Sequence, residues 1–321
     1  MITIEMKKKT FTVLNLTDFQ LLADEWTDKT DKGRHILSQI DTLIKENEPD
    51  LITLSGDIAW GGDFSALSNM ASVFDGYKIP WAPVFGNHDH DRGIKTLDKS
   101  IELLKKYQYF TYENGPSELG RGNYVIGVSN GKNLVHAIFM MDTHEREEYI
   151  DESGDTKTSW SKLTTEQIAW YKGEVEKLKT LGVNESSIII HIPIYAYNYA
   201  WECAHNKEYD EIKITPNESH NPKYWNEGYS DSFGVKYEPI TGYSLDDGVF
   251  EHIKALDHTK NVISGHNHVN NFSINYQGVR LSFATKTGMG SYYNPLVNGG
   301  SILSIDKDGK ATFKHHYLEI T

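Results

Sequence analysis

The sequence has a single cysteine, Cys203, among 321 residues, so it can form neither an internal disulfide nor a zinc site built from thiolates. It is also poor in basic residues, since 32 lysines and arginines stand against 45 aspartates and glutamates, a formal net charge of −13. This balance argues against a general binder of nucleic acid or of membrane surfaces, which would need a basic face. It does not exclude an anionic substrate, because bound metal ions can reverse the local sign of a site.

Long apolar runs are missing as well. No run approaches the length needed to span a bilayer. The lysine-containing N-terminus, MITIEMKKKTFTVLNL, is not followed by the apolar stretch and cleavage site of a signal peptide. We therefore expect a cytoplasmic protein without a membrane partner, although a chain trimmed of a leader would look the same. The oligomeric state stays open.

Apolar periodicity predicts alternating strands and helices in the first half of the chain. The strand-like runs FTVLNL, LITLS and WAPVF are each followed by a helical segment, the first over residues 31–47 and ended by Pro49. Thr164 with Gln167 resembles a capping box and predicts the start of a further helix. The last sixty residues are short strand-like runs between turns rich in Gly and Asn. This order predicts an α/β fold, a four-layer α/β/β/α sandwich in which two mixed sheets pack face to face with helices outside.

No stretch between the halves resembles a linker, so we expect one domain over residues 1–321. Within it, residues 195–245 lack sustained periodicity, and the segment from Tyr195 to Tyr243 holds eight of the 19 tyrosines. Loops of this length are usually functional or disordered, and so many aromatic residues argue against disorder. The segment is predicted to be an insertion, either a lid or specificity wall over a site or an ordinary packed insertion.

Polar residues follow five of the predicted strands. They are Asp18 with Gln20, Asp57, Asn87 with His88 and Asp89, His191, and His266 with His268. The carboxyl ends of strands in an open α/β sheet lie along one edge, where ligands bind, and these residue types are metal ligands. Any one alone has a simpler explanation, such as a turn aspartate or a hydrogen-bonded core histidine. Together they predict a shared metal site.

The motifs NLTDFQ, SGDIAW, FGNHDHD, IIIHIP and SGHNH resemble, in this order, those of the calcineurin-like metallophosphoesterase family over residues 11 to about 285. The resemblance implies a β-sandwich flanked by helices and two divalent metal ions (Mn, Fe, Zn or Mg) at the strand ends. By motif, the first metal would be held by Asp18, Asp57 and His268, and the second by Asp57, Asn87, His191 and His266, with Asp57 bridging them.

The resemblance also implies the reaction. A hydroxide that bridges the metals would attack phosphorus, and the metals would neutralise charge on the phosphoryl oxygens. His88 would face the phosphate and stabilise charge or protonate the leaving oxygen. Asp89 would orient the His88 ring. His90 and Asp91 are unassigned, and a solvated turn is expected there.

Two positions depart from the family's pattern. Gln20 stands where the family usually has the histidine of Asp-x-His, and a neutral amide oxygen is a weaker ligand for a transition metal than imidazole. The first site would then bind metal less tightly, use a water, or prefer a harder ion such as Mn²⁺ or Mg²⁺. Two metals remain the expectation. Trp60 stands where the purple acid phosphatase branch has tyrosine, so a tyrosinate–iron colour is not expected.

Substrate contacts are the least determined part of the site. The candidates are Asn87, His88, His144, Tyr197, Tyr199 and Trp201, with Tyr292 and Tyr293 as further choices. We predict a metal-dependent phosphoric ester hydrolase, best suited to a phosphomonoester of a small molecule or nucleotide. A phosphodiesterase of the same mechanism and a catalytically silent binding scaffold are the alternatives. The net charge disfavours a nuclease. The natural substrate and the physiological metals stay open.

Overall fold

The computed structural model describes residues 1–318, which form fourteen β-strands and six α-helices. The strands are β1 (Ile2–Glu5), β2 (Thr10–Leu16), β3 (Leu51–Ser55), β4 (Trp81–Val84), β5 (Tyr124–Ser129), β6 (Leu134–Met140), β7 (Arg146–Ile150), β8 (Thr156–Trp160), β9 (Glu185–Ile190), β10 (Thr259–Ser264), β11 (Ser273–Tyr276), β12 (Val279–Phe283), β13 (Gly299–Asp306) and β14 (Ala311–Tyr317). The helices are α1 (Asp31–Asn47), α2 (Phe64–Gly76), α3 (Ile94–Leu104), α4 (Thr165–Thr180), α5 (Ala196–Ala204) and α6 (Val249–Leu256).

Two helix predictions are confirmed together with their caps. The helix predicted over residues 31–47 is α1, whose N-cap Thr30 accepts a hydrogen bond from the backbone N–H of Gly33. Its C-cap, Glu48, has a left-handed backbone and directly precedes Pro49. The capping box predicted from Thr164 and Gln167 opens α4.

The strands form two mixed sheets and a separate hairpin. The five-stranded sheet has the order β14-β13-β2-β3-β4, in which β2, β3 and β4 are parallel. The seven-stranded sheet has the order β1-β5-β6-β9-β10-β12-β11, with β6, β9, β10 and β12 parallel. Strands β7 and β8 pair only with each other among the described strands.

Side-chain alternation along the strands produces the layers. In β2, Phe11 and Val13 pack between the two sheets, whereas Leu14 and Leu16 face the helices α1 to α3. The outer face of the seven-stranded sheet is covered by residues of α4, α5 and α6. The four-layer α/β/β/α sandwich is therefore confirmed. Because inner strands are buried on both faces, LITLS is apolar almost throughout and buried at every position.

The segment 195–245 begins with α5 and continues as loops with short 3₁₀ turns. Isolated bridges connect it to itself at His205–Trp225 and to the strand β11 at Phe233–Ser273. Among the described residues, no helix combines the length and apolar character needed to cross a membrane.

Candidate metal centre

The five polar clusters converge at one end of the sandwich. Asp18, Asp57 and Asn87 follow β2, β3 and β4, which are neighbours in the five-stranded sheet. His191 and His266 follow β9 and β10, which are neighbours in the seven-stranded sheet. Since the sheets lie face to face, the carboxyl ends of both parallel sets meet there, and all five side chains are buried.

A first group of ligand atoms belongs to Asp18, Asp57 and His268, which all lie within 4.8 Å of one another. The Nδ1 of His268 donates to the backbone oxygen of Tyr292 over 2.9 Å. This bond leaves Nε2 of His268 to face the cluster, 3.5 Å from Oδ1 of Asp18. A hydrogen bond that holds the second nitrogen is the usual way in which a ligating histidine is oriented.

A second group surrounds Nε2 of His191. This atom lies 3.1 Å from Oδ1 of Asn87, 3.3 Å from Oδ1 of Asp57 and 3.3 Å from Nδ1 of His266. The other nitrogen, Nδ1 of His191, donates to the backbone oxygen of Ser55 over 2.9 Å. Atoms that each bond one cation at about 2.0–2.2 Å lie about 3 Å apart, so the spacing fits a metal ion.

Gln20 contacts the first group through Asp57. Its Nε2 donates to Oδ2 of Asp57 over 2.8 Å. Its Oε1 is buried and accepts no hydrogen bond from the described residues. A buried amide oxygen without a partner costs about 1–3 kcal/mol, and a bound cation would satisfy it. The donor set of Asp18, Asp57 and His268 therefore fits a metal at the first position too, and the unpartnered oxygen of Gln20 is a candidate further ligand.

Burial and mutual charge shift the pKa values of this cluster. Burial opposes ionisation of Asp18, but its hydrogen bond to His268 and the charge of that ring lower its pKa to about 2. Burial also opposes protonation of His191, yet the Asp57 carboxylate beside it raises its pKa to about 9. Burial and the His191 charge lower the pKa of His266 to about 3. Two ionised carboxylates in a buried site attract cations.

Four residues of the cluster have a left-handed backbone. The φ angles are +57° for Asp18, +47° for Gln20, +51° for Asp57 and +74° for His266. Such values are uncommon outside glycine and cluster at functional sites, where the surrounding structure maintains them. The strand ends turn sharply at these residues, and the turns aim their side chains into one space.

Gly86 leaves the room that this convergence needs. A Cβ at this position would overlap the backbone nitrogen and Oδ1 of Asp57 and would lie 2.9 Å from Nε2 of His191. We expect Gly86→Ala to destabilise the protein by about 1–3 kcal/mol through overpacking, and to reduce cation binding. Melting temperature and metal content would measure both effects.

The matched control for Gly86→Ala is Gly173→Ala. Gly173 lies within α4, and no atom lies within 4 Å of a Cβ built there. Alanine is favoured in a helix by about 0.5–1 kcal/mol, so this variant should gain stability and keep its metal content. Equal behaviour of the two variants would contradict the tight fit at Gly86.

His88 is held from two sides. It lies in a short 3₁₀ turn, Asn87–His90, and its Nδ1 donates to Oδ2 of Asp91 over 2.9 Å. The Trp60 ring stacks on the imidazole, with centroids 5.0 Å apart. The backbone N–H of His88 donates to Oδ1 of Asp57, which ties the turn to the cluster. The half-buried imidazole is thus fixed at the edge of the centre.

The orienting role predicted for Asp89 is wrong. The Asp89 carboxylate is buried and accepts hydrogen bonds from the backbone N–H groups of Ile58, Ala59 and Gly86. It joins the loops after β3 and β4, and burial and the charge of Asp57 raise its pKa to about 6. Asp91 orients the ring instead, because one helical turn brings residues i and i+3 to the same side.

The candidates outside the cluster lie in different environments. His144 is 28% exposed at its side chain, and its nitrogens lie 3.5 Å from Oδ2 of Asp142 and 3.3 Å from Oε1 of Gln167. Tyr199 is exposed, and its hydroxyl donates to Asp246 over 3.0 Å. Tyr292 stacks on His268 with centroids 4.1 Å apart. Contacts of these residues with a substrate stay predictions.

Tyr197 and Trp201 are corrected to core residues. Both are buried in the cluster that α5 forms against the seven-stranded sheet. The Trp201 ring packs against Trp225 and Phe272, with centroids 5.8 Å and 5.0 Å apart. An aromatic residue on a helix that covers a sheet is used for packing, so neither side chain faces the metal centre.

Tyr197→Phe tests this correction. The Tyr197 hydroxyl lies 2.9 and 3.1 Å from the backbone oxygens of Val262 and Ser282, which share its one proton. Phenylalanine removes the buried hydroxyl that donates to these oxygens. We therefore expect a loss of about 1–3 kcal/mol in the free energy of unfolding and no change in metal content. Tyr199→Phe, at an exposed hydroxyl, should stay within about 0.5 kcal/mol. Denaturant unfolding would give both values, and a neutral Tyr197→Phe would contradict the core assignment.

Two residues near the centre were not singled out from the sequence. Asp91 carried a usable signal, its i+3 spacing from His88. The sequence signal for Lys286 was limited to its position after β12, where a lysine follows an apolar run. Its buried Nζ donates to the backbone oxygen of Asp18, and burial lowers its pKa to about 8 although Asp18 and Asp57 oppose the shift.

Comparison with known proteins gives a family match and distant relatives. The family model described as calcineurin-like phosphoesterase matches residues 11–270. "Probable inactive purple acid phosphatase 29" of Arabidopsis thaliana is 22% identical over 271 residues, which are 78% of this chain and 62% of that protein. An uncharacterized protein of Schizosaccharomyces pombe is 25% identical over 73% of this chain and 38% of its own length. The chain thus spans less than two thirds of these relatives.

Solved structures show the same fold. A dimetal phosphatase from Danio rerio superposes with a TM-score of 0.55 at 12% identity, over 95% of this chain and 98% of that one. GAP50, described as the anchor in the inner membrane complex of Plasmodium, superposes with a TM-score of 0.50 at 14% identity, over 98% and 90%. At these identities the likeness concerns the fold alone.

Proposed function

The chain belongs to the calcineurin-like phosphoesterase family, and we propose that it is a metal-dependent phosphoric ester hydrolase. The observation that carries the proposal is the set of 3.1–3.3 Å separations around Nε2 of His191. Two imidazole nitrogens, one amide oxygen and one carboxylate oxygen meet there at the spacing of ligands around one cation. Asp57 also belongs to the first group, which supports a pair of cations that share this carboxylate.

We propose two divalent cations, drawn from Mn, Fe, Zn and Mg. The first would be held by Asp18, Gln20, Asp57 and His268, and the second by Asp57, Asn87, His191 and His266. The amide oxygen of Gln20 favours a hard ion such as Mn²⁺ or Mg²⁺ at the first position. When bound, the cations would lower the pKa of water in the site and neutralise charge on phosphoryl oxygens.

His88 is the proposed proton donor to the leaving oxygen. Asp91 holds Nδ1 of the ring, so Nε2 is the nitrogen available to the substrate, and the stacked Trp60 restricts ring rotation. General acid catalysis of this kind contributes about 10²–10⁴-fold. Asp91 acts through His88 and is a positioning residue, while Asp89 maintains the loops that carry the ligands.

The proposed substrate is a small phosphomonoester, a nucleotide included, and a diester is the second choice. The formal net charge of −13 favours a small molecule over nucleic acid. We also propose that residues 1–321 act as one domain, since residues of both sheets share one buried layer.

The test compares 4-nitrophenyl phosphate with bis(4-nitrophenyl) phosphate. The protein would be freed of metal with a chelator, assayed, and assayed again after addition of Mn²⁺. Activity that disappears on chelation and returns with Mn²⁺ is the expected result, and the preferred ester would distinguish monoesterase from diesterase. Hydrolysis that persists without metal would exclude the proposal.

A catalytically silent scaffold is the second candidate. The specific observation in its favour is Gln20, since one ligand position differs from the family's usual histidine. The word "inactive" in the names of the Arabidopsis relatives describes those proteins. Cation binding by calorimetry together with no hydrolysis of either ester would favour the scaffold.

A further inference from the structure

A cavity of about 460 Å³ lies beside the metal centre and is not used by the proposed chemistry. One wall is the β7–β8 hairpin, with Arg146, Ser159 and Trp160. The other wall comes from the segment 195–245, with Tyr195 and Tyr243. Neither wall belongs to the five strand ends that carry the predicted ligands.

The cavity is coupled to the centre through one aromatic ring. Trp160 meets the His266 ring edge to face, with centroids 4.6 Å apart. The guanidinium carbon of Arg146 lies 4.0 Å from the centroid of the same indole. One indole therefore separates the guanidinium from a proposed metal ligand. Trp160 therefore contacts both the proposed centre and the cavity, and a leaving group that extends past this ring enters the cavity with Arg146.

The opposite wall is fixed to the loop that carries the ligands. The backbone N–H of Thr241 donates to Oδ1 of Asn267 over 3.2 Å, and Nδ2 of Asn267 donates to the Thr241 hydroxyl over 3.0 Å. Asn267 lies between His266 and His268. These two bonds fix the position of this wall of the cavity relative to His266 and His268.

The lining of the cavity carries a single positive charge. Arg146 is the one charged residue among the described residues that line it, and the other lining side chains are hydroxyl, amide, aromatic or aliphatic. The Arg146 guanidinium is exposed and forms no ion pair with a residue of the described range 1–318. Behind the opposite wall, Lys162 pairs with Glu147 over 3.6 Å, and Asp247 accepts a hydrogen bond from the backbone N–H of Tyr195. Arg146 therefore supplies the charge that faces the cavity. In a chain of net charge −13, an unpaired guanidinium in a recess is available to an anion.

We infer that this cavity receives the leaving group of the substrate and selects leaving groups that carry a second anion, a carboxylate or a further phosphate. The inference rests on the proposed function, whose substrate class it narrows. The guanidinium binds either anion through paired charge-assisted hydrogen bonds. The aromatic faces of Trp160 and Tyr243 pack against the rest of the leaving group, and the hydroxyls around Ser159 bind its polar atoms.

The experiment compares three esters in wild-type protein and in Arg146→Gln. The esters are 4-methylphenyl phosphate, 4-carboxyphenyl phosphate and 1,4-phenylene bisphosphate, each with Mn²⁺ present. We expect the variant to lose about 10–100-fold in kcat/KM for the two esters whose leaving group carries an anion, and to change little with 4-methylphenyl phosphate. Comparison of wild type with variant on the same ester cancels the intrinsic reactivity of each leaving group. The carboxylate and bisphosphate arms show which anion the cavity prefers.

Two further variants control for charge and for folding. Arg146→Lys keeps the charge but loses the paired geometry, so its loss should be intermediate. Arg34→Gln removes an exposed arginine that pairs with Asp31 on α1, and it should leave all three rates unchanged. An equal loss on all three esters in Arg146→Gln, or no loss on any, would overturn the inference.

A binding measurement separates failure of the inference from failure of the proposed function. Calorimetry would compare 4-carboxybenzylphosphonate with 4-methylbenzylphosphonate, neither of which can be hydrolysed. Tighter binding of the carboxylated compound that disappears in Arg146→Gln supports the cavity even if no ester is turned over, and that case rejects the hydrolase. Equal binding of both compounds by wild type rejects the cavity, whatever the rates.

Discussion

Asp57→Asn should lower hydrolysis of phosphate esters by more than about 10³-fold and abolish the binding of paired cations. Asp57 contributes to both groups of ligand atoms, with Oδ1 3.3 Å from Nε2 of His191 and Oδ2 2.8 Å from Nε2 of Gln20. Asparagine removes the shared negative charge, and the loss of metal stabilisation amounts to several kcal/mol. Asparagine tolerates the left-handed backbone of Asp57, so the loop should keep its shape.

The measurement has a readout that does not depend on turnover. Cations that bind only the folded state stabilise it by about 2.7 kcal/mol at a concentration one hundred times their Kd. Mn²⁺ should therefore raise the melting temperature of the wild type and leave that of Asp57→Asn nearly unchanged. Atomic emission spectroscopy on desalted protein would give the metal content of the wild type and of the variant.

Asp257→Asn is the matched control for this change. Asp257 also has a left-handed backbone, with φ +47°, but its carboxylate is exposed and pairs with Lys260. The same substitution there should leave activity, metal content and the Mn²⁺ response intact. If Asp57→Asn kept two cations and full activity, the shared carboxylate would not be part of the centre.

His88→Ala carries the second large effect, a fall of about 10²–10⁴-fold in kcat with unchanged metal content. His88 does not belong to either ligand group and lies at their edge, fixed by Asp91 and Trp60. A proton donor matters most when the leaving oxygen is basic. The loss should therefore be larger for alkyl phosphates than for 4-nitrophenyl phosphate, and rates for a graded series of leaving groups would measure this.

Variants at the two neighbouring aspartates separate positioning from folding. Asp91→Asn should lower kcat by about 10–100-fold with the same leaving-group dependence and a normal melting temperature, because it acts through the His88 ring. Asp89→Asn should instead destabilise the protein, because its carboxylate accepts three backbone N–H groups and bonds to a charged group contribute about 1.5–3 kcal/mol each. The reverse pattern would restore Asp89 as the orienting residue.

The sequence by itself determined the layers of the fold and the convergence of the strand ends. Apolar runs, helix caps and the order of elements are local properties, and α1 and the Thr164 capping box form where the pattern predicts them. The meeting of Asp18 and Asp57 follows from a general rule, since parallel strands of one sheet place their carboxyl ends on one edge. His191 follows a strand of the other sheet and joins them because the predicted sandwich packs the two sheets face to face. No distance had to be known to expect these residues together.

Only the tertiary structure decided the roles that depend on direction and on distant contacts. Asp89 and Asp91 are the same residue type and both lie close to His88 in the sequence. The 3₁₀ turn directs the Asp89 carboxylate into the loops and the Asp91 carboxylate toward the His88 ring. Tyr197 became a core residue because α5 lies against a sheet, which an aromatic-rich segment does not reveal. The position of Arg146, one indole away from His266, depends on the contact of the β7–β8 hairpin with a distant part of the chain. Such contacts arise from the packing of distant elements, and no local pattern encodes them.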